Sequence, residues 1–510
     1  MIEDIAFFAF SRTGSLNGKK YPAMINSLSE IKSDGNTLNI LGETIEKKFV
    51  YPHEIEEQII ETPTFVMIPN GSELIRRPKR FIKIIMSALQ KYGFSRLLYV
   101  SGISDPYIIP VLVYLGVSLF DDISLRIESS DGYMYTPVGI EKTSSDQTDH
   151  NINYVSDLLR LLSKSIENGT LRDIVEKNGI SSKALELLRL SDYTYYSEFE
   201  SVFPSRTPYI KANAIEDLYR PDLVRYRNYI MEGYKKPEAS VAILLPCSAR
   251  KPYSESNTHR RIIDAIMDLR KYIHEIIITS PMGVVPRDLE ETYPPRFYDI
   301  PVIGLWYEDE KTMMKKTLLD YMKHNAYKKV IGFLPDDLNF ISEAVPYDYE
   351  YVPFNFNNMD ILREKIINSI DREKRIDLKR SKYDSILSYQ FGDWILKYIS
   401  GYSIRRSYNQ DMIVKDSRIL FVYNDKIGKF TINKNSAQFF LENGKFTVEI
   451  DDFKPTSYVY AVGVKSATED IRQEDEIVLA HDGEVRGVGI AKMPGSAMIA
   501  LKKGIAVKVR

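Results

Sequence analysis

Three short apolar runs constrain this chain more than any other feature. They are Val241 to Pro246 (VAILLP), Glu275 to Ser280 (EIIITS) and Lys329 to Leu334 (KVIGFL). Runs of this length without polar alternation fit strands buried on both faces. Helical patterns separate them, at Arg260 to Tyr272 and at Glu310 to His324. A further strand is expected at Ile300 to Leu305 and a short helix after Pro335. Regular alternation of strand and helix predicts a mostly parallel sheet with helices on both faces.

Such sheets bind ligands outside the C-terminal ends of their strands. The end of VAILLP carries the densest run of reactive side chains in the chain, Cys247-Ser248-Ala249-Arg250-Lys251-Pro252-Tyr253-Ser254-Glu255-Ser256-Asn257-Thr258-His259. Cys247 is the only cysteine in 510 residues. A single cysteine excludes intrachain disulfides and cysteine-cluster zinc sites, and it fits a reducing interior. Six histidines show no HxH or HxxxH spacing, so no metal is expected. A thiol beside two cations and a helix start is a candidate nucleophile, with a pKa expected below the usual ~8.5. Other readings stay open. A cysteine after an apolar strand also serves as a small buried hydrophobe. His259 also suits a helix cap, and Arg250 and Lys251 also suit phosphate.

The remaining chain reads as several domains, because 510 residues exceed one core. Residues 1–140 look α/β, with strands at Phe65 to Ile68 and Leu97 to Ser101 and helices at Pro78 to Gln90 and Pro110 to Leu115. Residues 150–235 look helical, with a Ser181 cap before one helix. The charged stretch 360–380 is expected to be a solvated helix or linker. Residues 385–510 show short strands: Ile419 to Tyr423, Lys429 to Ile432, Val459 to Val464, Glu476 to Ala480, Arg486 to Ala491 and Ile505 to Val509. The net charge of −2 excludes a globally basic chain, yet Lys397 to Lys434 carries a local positive surplus. No apolar run approaches the ~20 residues of a membrane span. The N-terminus lacks the features of a signal peptide. A cytoplasmic location is therefore expected. No GxxxxGK[ST] loop or other cofactor motif appears, so no cofactor is expected.

The last stretch resembles a PUA domain, a small RNA-binding barrel. The matching residues are Asp470 to Val478 (DIRQEDEIV), Gly487 to Met493 (GVGIAKM) and Lys503 to Val509 (KGIAVKV). The segment before it, with Phe391-Gly392 and Arg405-Arg406-Ser407, resembles the domain that precedes PUA in archaeal tRNA-guanine transglycosylases. Gly116 to Asp122 (GVSLFDD), Asp131-Gly132-Tyr133, Ile166 to Glu176 (IENGTLRDIVE) and Arg220-Pro221 are also similar to that family. The zinc cysteines and the DSGG turn of that family have no counterpart here, and the N-terminal part is too short for a (β/α)₈ barrel, which needs ~200 residues. The pattern PC-x₃-KPY-x₂-S-x₂-H from Pro246 to His259 resembles the signature of archaeosine synthases, paralogues of the transglycosylases. Ser280 to Pro286 (SPMGVVP), Leu289-Glu290, Tyr293-Pro294 and Tyr298 to Pro301 (YDIP) fit the same family.

The resemblance implies a multidomain α/β fold. Its expected parts are a truncated transglycosylase-like domain with a helical extension (1–235), an α/β catalytic core with a mostly parallel sheet (236–380), a basic pre-PUA domain (381–443) and a PUA barrel (444–510). It implies a transferase that adds an amine to the nitrile of 7-cyano-7-deazaguanine at position 15, in the D-loop of archaeal tRNA, giving an amidine on the path to archaeosine. The implied donor is free lysine, with glutamine as the other candidate. A partner radical enzyme would cleave the adduct, and a homodimer is implied by likeness to the transglycosylases. Cys247 would attack the nitrile, with His259 or Tyr253 moving the proton and Lys251 tuning the thiol. Direct attack by the amine is the alternative. Ser256, Ser280, Gly283, Glu290 and Asp299 are the candidate contacts for the donor, with Glu291 and Asp336-Asp337 behind them. Arg405, Arg406, Lys415, Arg418, Lys492, Lys502 and Lys503 are the candidate RNA contacts. Base exchange of the transglycosylase type and a non-catalytic tRNA-binding protein are the competing functions.

Overall fold

The computed structural model describes residues 2–47, 59–177, 181–301, 303–407 and 410–510. The chain divides into two units, one made of Met1–Pro208 with Phe440–Arg510 and the other of Tyr209–Phe439.

The second unit contains the sheet expected from the apolar runs. Its strands are β1 (Val241–Pro246), β2 (Ile273–Thr279), β3 (Gly283–Pro286), β4 (Lys329–Leu334) and β5 (Asp348–Pro353), in the order β3-β2-β1-β4-β5. β1 pairs parallel with β2 and β4, and β4 pairs parallel with β5; β3 alone is antiparallel. All six residues of β1 and all seven of β2 are buried, which explains the unbroken apolar run of β1 and of Ile276 to Ile278 in β2. Helices α1 (Asn257–Ala265), α2 (Glu308–His324) and α3 (Met359–Ser369) cover the sheet. Val241, Ile243 and Leu245 pack with Ile262 of α1 and with Leu362 and Ile366 of α3. α2 lies against β3 so closely that a Cβ on Gly283 would meet the Cβ of Thr317 at 2.7 Å.

Two expectations need correction here. The helix expected over Arg260 to Tyr272 begins three residues earlier, where Ser256 caps it, and stops at Ala265. Ile300 to Leu305 is not a strand: only Tyr298–Asp299 is extended and paired, and Ile303 and Leu305 are 69% and 77% exposed. Val302 lies outside the described residues. The charged stretch 371–377 is an exposed connection, and Asp377 caps a new helix, Leu378–Phe391, by accepting from the amides of Lys379 and Arg380. A four-stranded antiparallel sheet follows, from Ser403–Ser407 to Lys429–Ile432.

The first unit holds a parallel sheet of Ala23–Ile25, Val117–Asp121, Leu97–Val100 and Phe65–Ile68, with Ile60–Glu61 added antiparallel. Four parallel strands are half the number that close a (β/α)₈ barrel. Helices Thr148–Asn168, Leu171–Lys177 and Ser182–Tyr193 form the extension, and Ser181 caps the last through the amide of Ala184. The final residues form a six-stranded sheet that includes Glu476–His481, Glu484–Ala491 and Ile505–Val509. Arg472 anchors it to the helical extension through both carboxylate oxygens of Glu200, at 2.6 and 2.8 Å.

Candidate active site

Cys247 follows β1 directly, at the C-terminal edge of the sheet. Pro246 pairs with Ile278, so Cys247 comes level with Thr279 on the next strand. On the other side Leu244 pairs with Gly332, which brings the Asp336-Asp337 loop after β4 to the same edge. Parallel pairing is what gathers these loops.

The thiol is half-buried. Burial pushes its pKa up, while the neighbouring Thr279 hydroxyl and the Lys251 ammonium draw it down less strongly; Asp337 adds to the upward push. The depressed thiol expected from the cations is therefore corrected: desolvation outweighs them. Burial lowers the pKa of Lys251 in turn, against the pull of Cys247 and Asp299. The Lys251 Nζ sits 3.9 Å from the centroid of the Tyr298 ring. The Tyr298 hydroxyl is 2.8 Å from Thr279 Oγ1 and 2.7 Å from the Tyr253 hydroxyl. Thr279, Tyr253 and Tyr298 are fully buried.

His259 is buried on α1, whose first turn is closed by Ser256 Oγ accepting from the His259 amide at 3.1 Å. Its Nε2 is 2.9 Å from the Pro246 carbonyl, and its Nδ1 is 2.9 Å from the Arg287 guanidinium. Arg287 only donates, so Nδ1 accepts and the proton sits on Nε2. Burial, then Arg287, lowers the His259 pKa to about 3, so the ring is neutral. Both ring nitrogens are engaged, and this arrangement braces the backbone just before Cys247.

Arg287 is the centre of a buried network. It donates to Glu275 at 2.8 Å and to Glu290 at 2.9 Å, and Arg270 donates to the other Glu275 oxygen at 2.5 Å. Glu290 also accepts from the Ser254 amide at 3.0 Å. A cavity of about 330 Å³ lies along this network, and Cys247 is not among its lining residues.

The other sequence-derived candidates divide. Ser280 is fully buried, and its hydroxyl has no hydrogen-bond partner. Asp299 is exposed and close enough to act on Lys251. Glu290 is committed to Arg287 and Ser254, and Ser256 to the helix cap. Gly283 has φ +75° and packs on Thr317. Glu291 is held by Lys382 and Tyr423, each at 2.6 Å. Asp336 accepts from Tyr351 at 2.5 Å and Asp337 from the Trp306 indole at 3.1 Å. Arg250 is exposed and pairs with Glu255 at 3.3 Å.

Among the RNA candidates, Arg405, Arg406 and Arg418 are exposed on the four-stranded sheet of the second unit, and Lys415 bonds the Tyr398 carbonyl at 2.9 Å. In the first unit Lys492 pairs with Glu474 at 2.6 Å and Lys503 pairs with Glu3, while Lys502 is exposed. Also in the first unit, Glu449, His481 and Asp482 bring ligand-type atoms within 4.8 Å of one another, as acidic surfaces often do without a metal.

Sequence reasoning assigned no role to Thr279, Tyr298 or Arg287. Tyr298 stood in the quoted YDIP stretch, and Thr279 is the last residue of its strand; those were the available signals.

Comparison with known proteins gives the setting for this site. Residues 223–367, which hold the sheet and Cys247, match a family described as a domain of unknown function (DUF5591). Residues 454–510 match the PUA domain. The chain is 60% identical to the archaeosine synthase subunit alpha of Thermoplasma acidophilum over the full length of both. The chain belongs to the archaeosine synthase subunit alpha family. The Methanosarcina acetivorans member is 28% identical, with 89% of this chain and 80% of that protein covered. The tRNA-guanine(15) transglycosylase of Methanobrevibacter smithii is 24% identical, with 85% of this chain and 69% of that protein covered. Family membership and the relation to transglycosylases thus agree with what the motifs implied. No helix among the described residues is long and apolar enough to cross a membrane.

Proposed function

We propose that the chain is a tRNA-modifying transferase that joins an amine to the nitrile of 7-cyano-7-deazaguanine at position 15 of tRNA. The observation that carries this reading is the Cys247 thiol beside the Lys251 amine at the sheet edge, in a family whose 60% identical member is named archaeosine synthase. Loss of the thiol proton to the Lys251 amine gives a thiolate. Its sulfur bonds to the nitrile carbon, one π pair moves to nitrogen, and the Lys251 ammonium returns the proton there, leaving a thioimidate. The donor amine then adds to the same carbon, the C–S bond breaks, and the thiol recovers its proton. Nitrile plus amine gives an amidine with no atom lost and no oxidant needed.

Free lysine is the favoured donor and glutamine the other. The exposed Asp299 suits an ammonium group, and the unpartnered Ser280 hydroxyl suits a carboxylate. His259 acts as a brace in this scheme, since both of its nitrogens are engaged. Residues 236–380 carry the chemistry, while 381–443 and the PUA barrel of 444–510 bind RNA through Arg405, Arg406, Arg418 and Lys502. Downstream cleavage of the adduct falls to a partner radical enzyme; the word subunit in the relatives' names supports a partner. The working form is a homodimer in the cytoplasm, by likeness to the transglycosylase relatives.

The decisive experiment is mass spectrometry of nitrile-bearing tRNA after incubation with the chain and either lysine or glutamine. A mass gain equal to lysine supports the reading, and no gain with either donor sinks it. Cys247→Ala should abolish the gain and leave RNA binding intact. Base exchange is the second reading. The four-strand half-barrel of the first unit supports the amidine reading over it.

A further inference from the structure

The thiol ends a chain of buried hydroxyls. Thr279 comes level with Cys247 on the neighbouring strand, and its Oγ1 lies 3.0 Å from the Ser280 carbonyl and 2.8 Å from the Tyr298 hydroxyl. The Tyr253 hydroxyl stands 2.7 Å behind Tyr298. We infer that Thr279 and Tyr298 are positioning residues that hold the Cys247 thiolate, and that Lys251, resting on the Tyr298 ring, is the base that receives the thiol proton. This rests on the reading of Cys247 as the nucleophile.

A threonine hydroxyl has one proton and two lone pairs. While the sulfur is protonated, Thr279 gives its proton to the Ser280 carbonyl. When the sulfur ionises, Thr279 turns that proton to it. Tyr298 then donates into the Thr279 oxygen, and Tyr253 donates into Tyr298. Three donors now point one way along the chain, each polarising the next, and the three hydroxyl-bearing side chains are fully buried. In the transfer the S–H bond breaks and an N–H bond forms on Lys251 Nζ, so a neutral pair becomes thiolate and ammonium. The ammonium so formed lies over the Tyr298 face, where the ring quadrupole favours a cation. Burial raises the thiol and lowers the amine, which brings the two proton affinities together.

The lone cysteine makes the test clean. The rate of alkylation of the full chain by iodoacetamide is followed against pH by intact mass, without RNA. Tyr298→Phe keeps the ring beneath Lys251 and removes only the hydroxyl. Its inflection should rise by about one pH unit, with an alkylation rate near neutrality about tenfold lower. Thr279→Val should shift it at least as far, and Thr279→Ser should restore it. Lys251→Met should shift the inflection upward as well. If Tyr298→Phe folds poorly, the Thr279 pair decides alone. Unshifted inflections in Thr279→Val and Lys251→Met overturn the inference. Because no RNA is present, a thiol that responds as expected in a chain that leaves nitrile-bearing tRNA unchanged refutes the proposed function only.

Discussion

Removing the Arg287 guanidinium tests how the site is supported. Arg287→Met keeps the stem of the side chain and deletes three charge-assisted contacts, to Glu275, Glu290 and His259. Burial pushes Glu275 up, yet Arg287 and Arg270 hold it down at about 2 against an ordinary 4.5. A shift of that size corresponds to about 3 kcal/mol, and breaking a buried pair from one side costs about 3–5 kcal/mol. Arg270 stays in the variant and keeps part of the Glu275 shift, so a loss at the lower end of that range, about 3 kcal/mol at pH 7, is expected. Its pH dependence follows from the sign of the shift. A carboxylate with a depressed folded pKa contributes stability above its unfolded value and loses it as pH falls toward the folded value. The gap between the parent chain and Arg287→Met should therefore be full at pH 7 and narrow between about pH 4.5 and 2. Urea unfolding at pH 7, 4 and 3 measures it. A gap under about 1 kcal/mol at pH 7, or one that widens toward acid, would refute the reasoning.

Other outcomes are as specific. His259, held at about 3, should show no titration of its ring between pH 5 and 8 by NMR, and stability should fall as pH drops below the ordinary 6.5, because only the unfolded chain takes up that proton. Gly283→Ala should destabilise by about 1–3 kcal/mol through the contact with Thr317 and the left-handed backbone, lowering Tm without a selective change in KM for the amine. Reversing Arg405 and Arg406 to Glu should weaken tRNA binding and reduce the log-log salt slope by about one to two; an unchanged slope removes that sheet from the RNA surface.

The strands at VAILLP, EIIITS and KVIGFL were legible because every position in β1 and β2 is buried, so burial shows without any periodicity. The same signal misled at Ile300 to Leu305. There the backbone turns at Gly304, φ +72°, against the Asp337 carboxylate, and the apolar side chains face outward. The charged stretch 371–377 has helical spacing but no apolar face to bury, and the Asp377 cap divides it from the next helix. At the site, Cys247, Lys251, Tyr253 and His259 were legible because they share one short segment. What each of them does was not. The His259 partners arrive from Arg287 and Pro246, and the hydroxyl chain needs Thr279 from β2 and Tyr298 from the later paired segment Tyr298–Asp299. The sign of the Cys247 shift depends on desolvation, which has no local sequence signature.

The first unit is assembled from both ends of the chain, with Tyr209–Phe439 threaded between them. During synthesis Glu200 emerges long before Arg472, and at ordinary ribosomal rates the wait is on the order of 15 to 60 seconds. The second unit, continuous in sequence, is free to fold in that interval. The half-barrel and its helices meanwhile lack their C-terminal partner. A nonsense codon or protease cut that removes only the last strands therefore strips more than the PUA segment: it leaves the opening 200-odd residues without the part that completes their unit, and quality control would see a failed N-terminus.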